Sequence, residues 1–177
     1  DEIGPEAHGS AVSIGNFDGV HAGHRRIFRR VVSLARERGL RPSVLTFDPH
    51  PTRVVAPSRA PKLLNTTEER LEFLQAEGIE QAFILPFDKA FSQQSPEEFV
   101  QRVLVDRLGA KAVLVGDNFR FGKAQAGDVA LLRRLGEKLG FSTEITPGVK
   151  LRGRMVSSSE IRTLLAEGKV SHVCRLL

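Results

Sequence analysis

Short apolar runs alternate along the chain with longer stretches in which apolar residues recur every three or four positions, the pattern of strands joined by amphipathic helices. Ala11-Val12-Ser13-Ile14 reads as a first strand. After a glycine-rich turn, Ile27, Phe28, Val31, Val32 and Ala35 fall on one face of a helix that Gly39 stops. Residues 42–47 make a second strand. Thr66 and Glu69 have the spacing of a capping box and open a helix that ends at Gly78, and Ala82-Phe83-Ile84-Leu85 is the next strand. Ser95-Pro96-Glu97-Glu98 combines a capping serine, proline at the first helical position and glutamate three residues after the cap, which predicts a helix to about Leu108. Residues 112–115 form a strand, 128–139 a helix closed by Gly140, and 141–145 a last strand. Ser157-Ser158-Ser159-Glu160 opens one more helix, with Ile161, Leu164 and Leu165 on its buried side.

Five strands with intervening helices predict an α/β fold, a Rossmann-like three-layer sandwich around a mostly parallel sheet, as one domain over residues 1–177. In such a sheet the ligand crevice lies beyond the carboxyl ends of the strands. Composition narrows the class. Of the 177 residues 41% are hydrophobic and 27% charged, which suits a folded, water-soluble domain, and no apolar run approaches the ~20 residues that span a bilayer. Asp1-Glu2-Ile3-Gly4-Pro5 has neither the basic nor the apolar stretch of a signal peptide. The single cysteine, Cys174, excludes an internal disulfide and fits a reducing, cytoplasmic setting. The net charge of +5 raises nucleic acid as a partner, yet the densest basic run, Arg25, Arg26, Arg29 and Arg30, is interleaved with apolar positions as on a solvated helix face. The chain also has no Trp or Tyr to stack bases. Neither nucleic acid nor membrane is the expected partner.

Chemistry concentrates where the first strand runs into Gly15-Asn16-Phe17-Asp18-Gly19-Val20-His21-Ala22-Gly23-His24 and then directly into a helix. Gly15, Gly19 and Gly23 let backbone approach a ligand, and the helix start offers unpaired amides and the positive end of its dipole. The lysine followed by Ser or Thr that a Walker loop needs is missing. Instead, His21 and His24 can face one phosphate group, donating to it or, if protonated, neutralising its charge. Either histidine alone reads equally well as an ordinary surface or core residue, and a zinc site lacks a Cys or acidic partner. His-x-Gly-His between strand and helix is the signature of the adenylyltransferase superfamily that includes the class I aminoacyl-tRNA synthetases.

The stretch from Ile14 to His24 resembles the version of this motif found in FAD synthetases. Four further segments resemble the same family: Thr46-Phe47-Asp48-Pro49-His50-Pro51; Leu85-Pro86-Phe87-Asp88 with Phe91 and the Ser95 helix start; Gly116-Asp117-Asn118-Phe119-Arg120-Phe121-Gly122 with Gly127-Asp128; and Val156-Ser157-Ser158-Ser159-Glu160-Ile161-Arg162. The resemblance implies a FMN adenylyltransferase that uses magnesium and ATP to convert FMN into FAD and pyrophosphate. It assigns His21 and His24 to the triphosphate and its transition state, with Ser158 and Arg162 holding phosphates from the opposite helix. Gly15, Asn16, Phe17, Asp18, Gly19, Gly23, Ser157 and Ser159 join them at the ATP site, and Asn118 lies at the magnesium and phosphate junction. Phe47, Asp48, Pro49, His50, Pro51, Phe87 and Phe121 are the flavin-side residues it implies.

Plainer readings stand beside these. The serines suit a capping box with Glu160, residues 46–51 a rigid proline loop, and the phenylalanines a core. Met155 occupies a place where the family pattern leads one to expect a basic residue, with Arg154 and Arg152 one and three places earlier. Relatives of bacterial type carry a riboflavin kinase module after this one, so the chain is expected to be the adenylyl-transferring module of a longer protein. The rivals are a nucleotidyltransferase of the same fold acting on another substrate and a nucleotide-sensing or nucleic-acid-binding module without turnover.

Overall fold

The computed structural model describes residues 9–151 and 153–177. Five strands, β1 (Ser10–Ile14), β2 (Arg41–Asp48), β3 (Gln81–Pro86), β4 (Ala112–Gly116) and β5 (Ser142–Thr146), form one sheet in the order β3-β2-β1-β4-β5. Every pairing in it is parallel. The sheet is therefore wholly rather than mostly parallel, and the strand order reverses between β1 and β4. That reversal leaves a crevice at the carboxyl ends of these two strands.

Parallel strands are joined by helices that must cover both faces. α1 (Ala22–Arg38) and α3 (Thr67–Ala76) cover one, where Phe28, Val31 and Leu74 pack on Ala11, Val44 and Leu114. α4 (Pro96–Phe99), its wider-wound continuation over Val100–Arg107, and α5 (Val129–Leu139) cover the other, with Leu104 and Leu132 against Val12, Leu45 and Val113. The helix foreseen after Ser95 thus exists, but it unwinds into π geometry after one turn. α2 (Pro51–Val55) follows β2, and a short antiparallel pair, β6 (Lys150–Leu151) and β7 (Arg154–Met155), precedes α6 (Ser158–Ala166) and α7 (Val170–Val173). None of α2, β6, β7 and α7 was legible in the patterning, because each is too short for a period to show.

The caps follow the sequence closely. Thr66 with Glu69 and Ser95 with Glu98 form complete capping boxes, and Gly39 and Gly140 end their helices in the left-handed conformation. α6 differs. Ser157 accepts the Glu160 amide, but the Glu160 carboxylate turns to Arg154 at 2.9 Å, so only half a box forms. Leu165 is 44% exposed, while Ile161 and Leu164 pack with Val156, Val173 and Leu176 in a third small core. The basic run on α1 is partly tied into ion pairs, Arg25 with Glu77 and Arg30 with Glu37 and Glu144.

Candidate active site

The loop between β1 and α1 is built for close approach. An atom added at the Cβ position of Gly15 would lie 2.9 Å from Cζ of Phe17, so glycine lets that ring fold back over the chain. Gly19 has φ +83°, and its Cβ would meet Leu64 Cδ1 at 2.6 Å. Phe17 and Val20 also take positive φ, 48° and 35°, a strain of about 1–2 kcal/mol each that bears hardest on the β-branched Val20. Both are 2% exposed, and their burial holds the strained turn in place.

His21 caps α1. Its Nδ1 accepts the amide of His24 at 3.3 Å, so the proton of the neutral ring resides on Nε2. The two imidazoles stack with centroids 3.6 Å apart and planes 15° apart, and Phe17 meets His24 edge-on at 5.3 Å. Burial lowers the pKa of His21 to about 4. Burial, then His21, then Arg70 push His24 well below its ordinary value. At neutral pH the pair is uncharged in the free protein, so the rings offer neutral donors and not the cations considered from sequence.

Asp18 is 2% exposed and tied into the fold. Its Oδ1 accepts from the amides of Leu64 at 2.9 Å and Asn65 at 3.4 Å, and its Oδ2 pairs with Arg162. Its carbonyl accepts from Ser158 Oγ at 2.8 Å, and Arg162 Nε donates to the Lys62 carbonyl at 2.7 Å. These contacts lock the start of α6 against the glycine loop.

A cleft of about 870 Å³ opens here. Gly15, Asn16, Phe17 and Asp18 line it together with His21, Gly23 and His24, and so do Ser157, Ser158, Ser159 and Arg162 of the α6 start and Asp117 and Asn118 after β4. A second cavity of about 770 Å³ is lined by Phe47, Pro51, Phe87, Phe91, Phe119 and Phe121. The rings of Phe47, Phe87 and Phe91 lie 5.4 to 5.9 Å apart, and Phe119 stacks with Phe121 at 5.5 Å. Both cavities share Ile14, Gly15, Asn16, Thr52, Val55, Asn118, Phe119 and Gln125, so they adjoin.

Several residues fall elsewhere than foreseen. Gly19 lines neither cavity and donates its amide to Asn65 Oδ1 at 3.0 Å. Asp48 and Pro49, joined by a cis peptide bond, are exposed and line neither. His50 lines the polar cleft and not the aromatic one, and its Nδ1 caps α2 by accepting the Thr52 amide at 3.3 Å. Phe121 is both wall and core, at 6% exposure. Met155 lies on the polar cleft wall while Arg154 faces Glu160, so the cation in question is not supplied by Arg154, and Arg152 lies outside the described residues. Phe91, Phe119, Thr52, Val55 and Gln125 were missed as lining residues. Arg70, buried beneath the loop, was missed too, although its position four residues before Leu74 puts both on one helix face.

The sequence pattern of FAD synthetase matches residues 4–160. The chain belongs to the FAD synthetase family. Among relatives of this chain, the bifunctional riboflavin kinase/FMN adenylyltransferase of Pseudomonas fluorescens is 38% identical over 173 residues, covering 98% of this chain and 55% of that protein. The protein of the same description from Buchnera aphidicola subsp. Schizaphis graminum is 32% identical over 169 residues, covering 95% and 54%. The chain thus spans about half the length of these relatives. A solved structure described as a macrolide-efflux protein from Streptococcus pneumoniae superposes with TM-score 0.85 at 27% identity, covering 98% of this chain and 57% of that one. Among the described residues, no helix of this family member is long and apolar enough to cross a membrane.

Proposed function

We propose that this chain transfers the adenylyl group of ATP to FMN, giving FAD and pyrophosphate. The observation that carries this reading is the junction of the two cavities. A polar cleft walled by imidazole, hydroxyl and guanidinium groups meets an aromatic one at Gly15, Asn16 and Asn118. A nucleotide in the first and a flat isoalloxazine ring in the second would bring a flavin phosphate to the nucleotide's α-phosphorus. The phenylalanine rings are packed against one another before any ligand arrives, so little ordering is lost on stacking.

In the reaction a phosphate oxygen of FMN attacks the α-phosphorus, and the bond to the α,β-bridging oxygen breaks as pyrophosphate leaves. The nucleophile is already an anion, so no residue need take its proton. His21 donates from Nε2, and His24 from a ring nitrogen, to phosphoryl oxygens, where charge grows as the bond breaks. Ser157 and Ser159 offer hydroxyls with the amide end of α6, and Ser158 and Arg162 would join them on exchange from the Asp18 carbonyl and carboxylate and the Lys62 carbonyl.

No group of three or more His, Cys, Asp or Glu side chains among the described residues could hold a metal. The hard oxygens of Asp117 and Asn118 on the cleft wall suit magnesium that arrives with ATP as part of the substrate, already ligated by phosphates. Bound there, the ion would offset phosphate charge. In the whole protein we place a riboflavin kinase module beside this one, and the cytoplasm as its compartment.

Incubation of the chain with ATP, magnesium and FMN, followed by chromatography, should yield FAD and equimolar pyrophosphate. Riboflavin in place of FMN should yield no product. Adenylylation of pantetheine phosphate or nicotinamide mononucleotide without FAD formation would overturn the reading.

A further inference from the structure

Arg70 sits on the inner face of α3 and is 4% exposed, yet it has no acidic partner among the described residues. Its Nη1 donates to Thr46 Oγ1 at 3.3 Å, and that hydroxyl donates in turn to the Asn16 carbonyl at 3.3 Å. Its Nε is buried without a partner. Asp18, the nearby carboxylate, is already taken by Arg162, Leu64 and Asn65. A buried guanidinium left uncompensated destabilises a fold, and a methionine of similar length would fill the same space without that cost. Something other than stability keeps a charge here.

Its surroundings say what. Its charge is felt by His24 at the start of α1 and His50 at the start of α2, and the same two rings also feel His21, Asp18 in the glycine loop, Arg53 on α2 and Arg162 on α6. The two stacked imidazoles are neutral, and in the free protein Arg162 is paired with Asp18. Among the described residues Arg70 is therefore a buried positive charge with no carboxylate against it, behind the loop where the polyphosphate is expected, whereas Arg53 and Arg59 are not buried.

We propose that Arg70 is a positioning residue whose uncompensated charge, fixed behind Thr46 and the glycine loop, supplies the standing potential that draws a nucleotide triphosphate onto His21 and His24. This rests on the polar cleft being the ATP site. Permanent charge then comes from a residue that cannot lose its proton, while the histidines remain hydrogen-bond donors aimed by their stacking. Low dielectric strengthens the attraction, and the triphosphate becomes the counterion Arg70 lacks.

The test compares the parent chain with Arg70→Met and Arg70→Lys, using calorimetric titration with magnesium ATP alone, with FMN alone, and thermal unfolding. Arg70→Met should melt at the parental temperature or above it and bind ATP about 10-fold or more weakly, the effect of one unit charge at a partly desolvated site. FMN binding should be unchanged. Arg70→Lys should recover most of the ATP affinity, and the His24 ring in Arg70→Met should titrate nearer its ordinary value by NMR. Earlier melting of Arg70→Met with parental ATP affinity would make the residue structural and overturn the proposal. So would a folded Arg70→Lys as weak for ATP as Arg70→Met, or a loss confined to FMN. If the parent binds ATP in this Arg70-dependent way but makes no FAD, the proposed activity falls and this inference stands. If the parent does not bind ATP, the inference falls.

Discussion

Asp18 and Arg162, 144 residues apart in sequence, form an ion pair with a buried carboxylate and a half-buried guanidinium that ties the glycine loop after β1 to the second turn of α6. The same carboxylate accepts the amides of Leu64 and Asn65, so three separate segments converge on one side chain.

Removing that carboxylate leaves a guanidinium and two amides without their acceptor. Asp18→Ala should lower stability by about 2 kcal/mol, since two amides and a half-buried guanidinium lose their acceptor. Chemical denaturation would show this as a lower midpoint at constant slope. A change under about 0.5 kcal/mol would mean that the pair does not hold α6 in place.

His24→Ala should reduce FAD formation at least ~100-fold while leaving the far-ultraviolet spectrum intact, the usual effect of losing a donor to a developing oxyanion. His21→Ala removes the acceptor for the His24 amide as well as a donor, so it should cost some stability too. A folded double variant with near-parental turnover would remove both residues from the chemistry.

Stability should fall as acid is added. His21 has a folded pKa of about 4 against an ordinary 6.5, so the unfolded chain binds the proton more readily. The stability that depends on the neutral ring is complete above about pH 6.5 and is lost as pH falls toward 4, by on the order of 3 kcal/mol. His24 shifts in the same direction and steepens the loss. Urea midpoints across this range would test the sign, and the double His→Ala variant should show a flatter profile.

Ala124 and Gln125 both take positive φ, 52° and 58°, in the turn that reaches the junction of the two cavities. Ala124→Gly should relieve the strain and raise stability by about 1 kcal/mol, visible as a higher unfolding midpoint. An unchanged or lower midpoint would show that the turn adapts without cost.

Much of the fold follows from local signals. The capping boxes at Thr66 and Ser95, the stops at Gly39 and Gly140, and the alternation of apolar runs specify which segments are helix or strand, because those choices depend on neighbours within a few residues. The glycine-histidine loop and the serine-rich start of α6 are local as well. What local signals could not specify is who answers whom across the chain. His21, His24, Ser158 and Arg162 can be read from the sequence as candidates for a phosphate site. That Ser158 and Arg162 engage Asp18, that the stacked imidazoles are buried enough to stay neutral, and that Asp48 and Pro49 line neither cavity depend on distant segments being packed together. Arg70 shows the division most sharply. Its residue type and helix face can be read from the sequence, but burial sets its solvation, and its lack of a counterion depends on Arg162 having taken Asp18. Charge energetics are set by solvent exclusion and by distances between residues far apart in sequence, and only the assembled tertiary structure determines those.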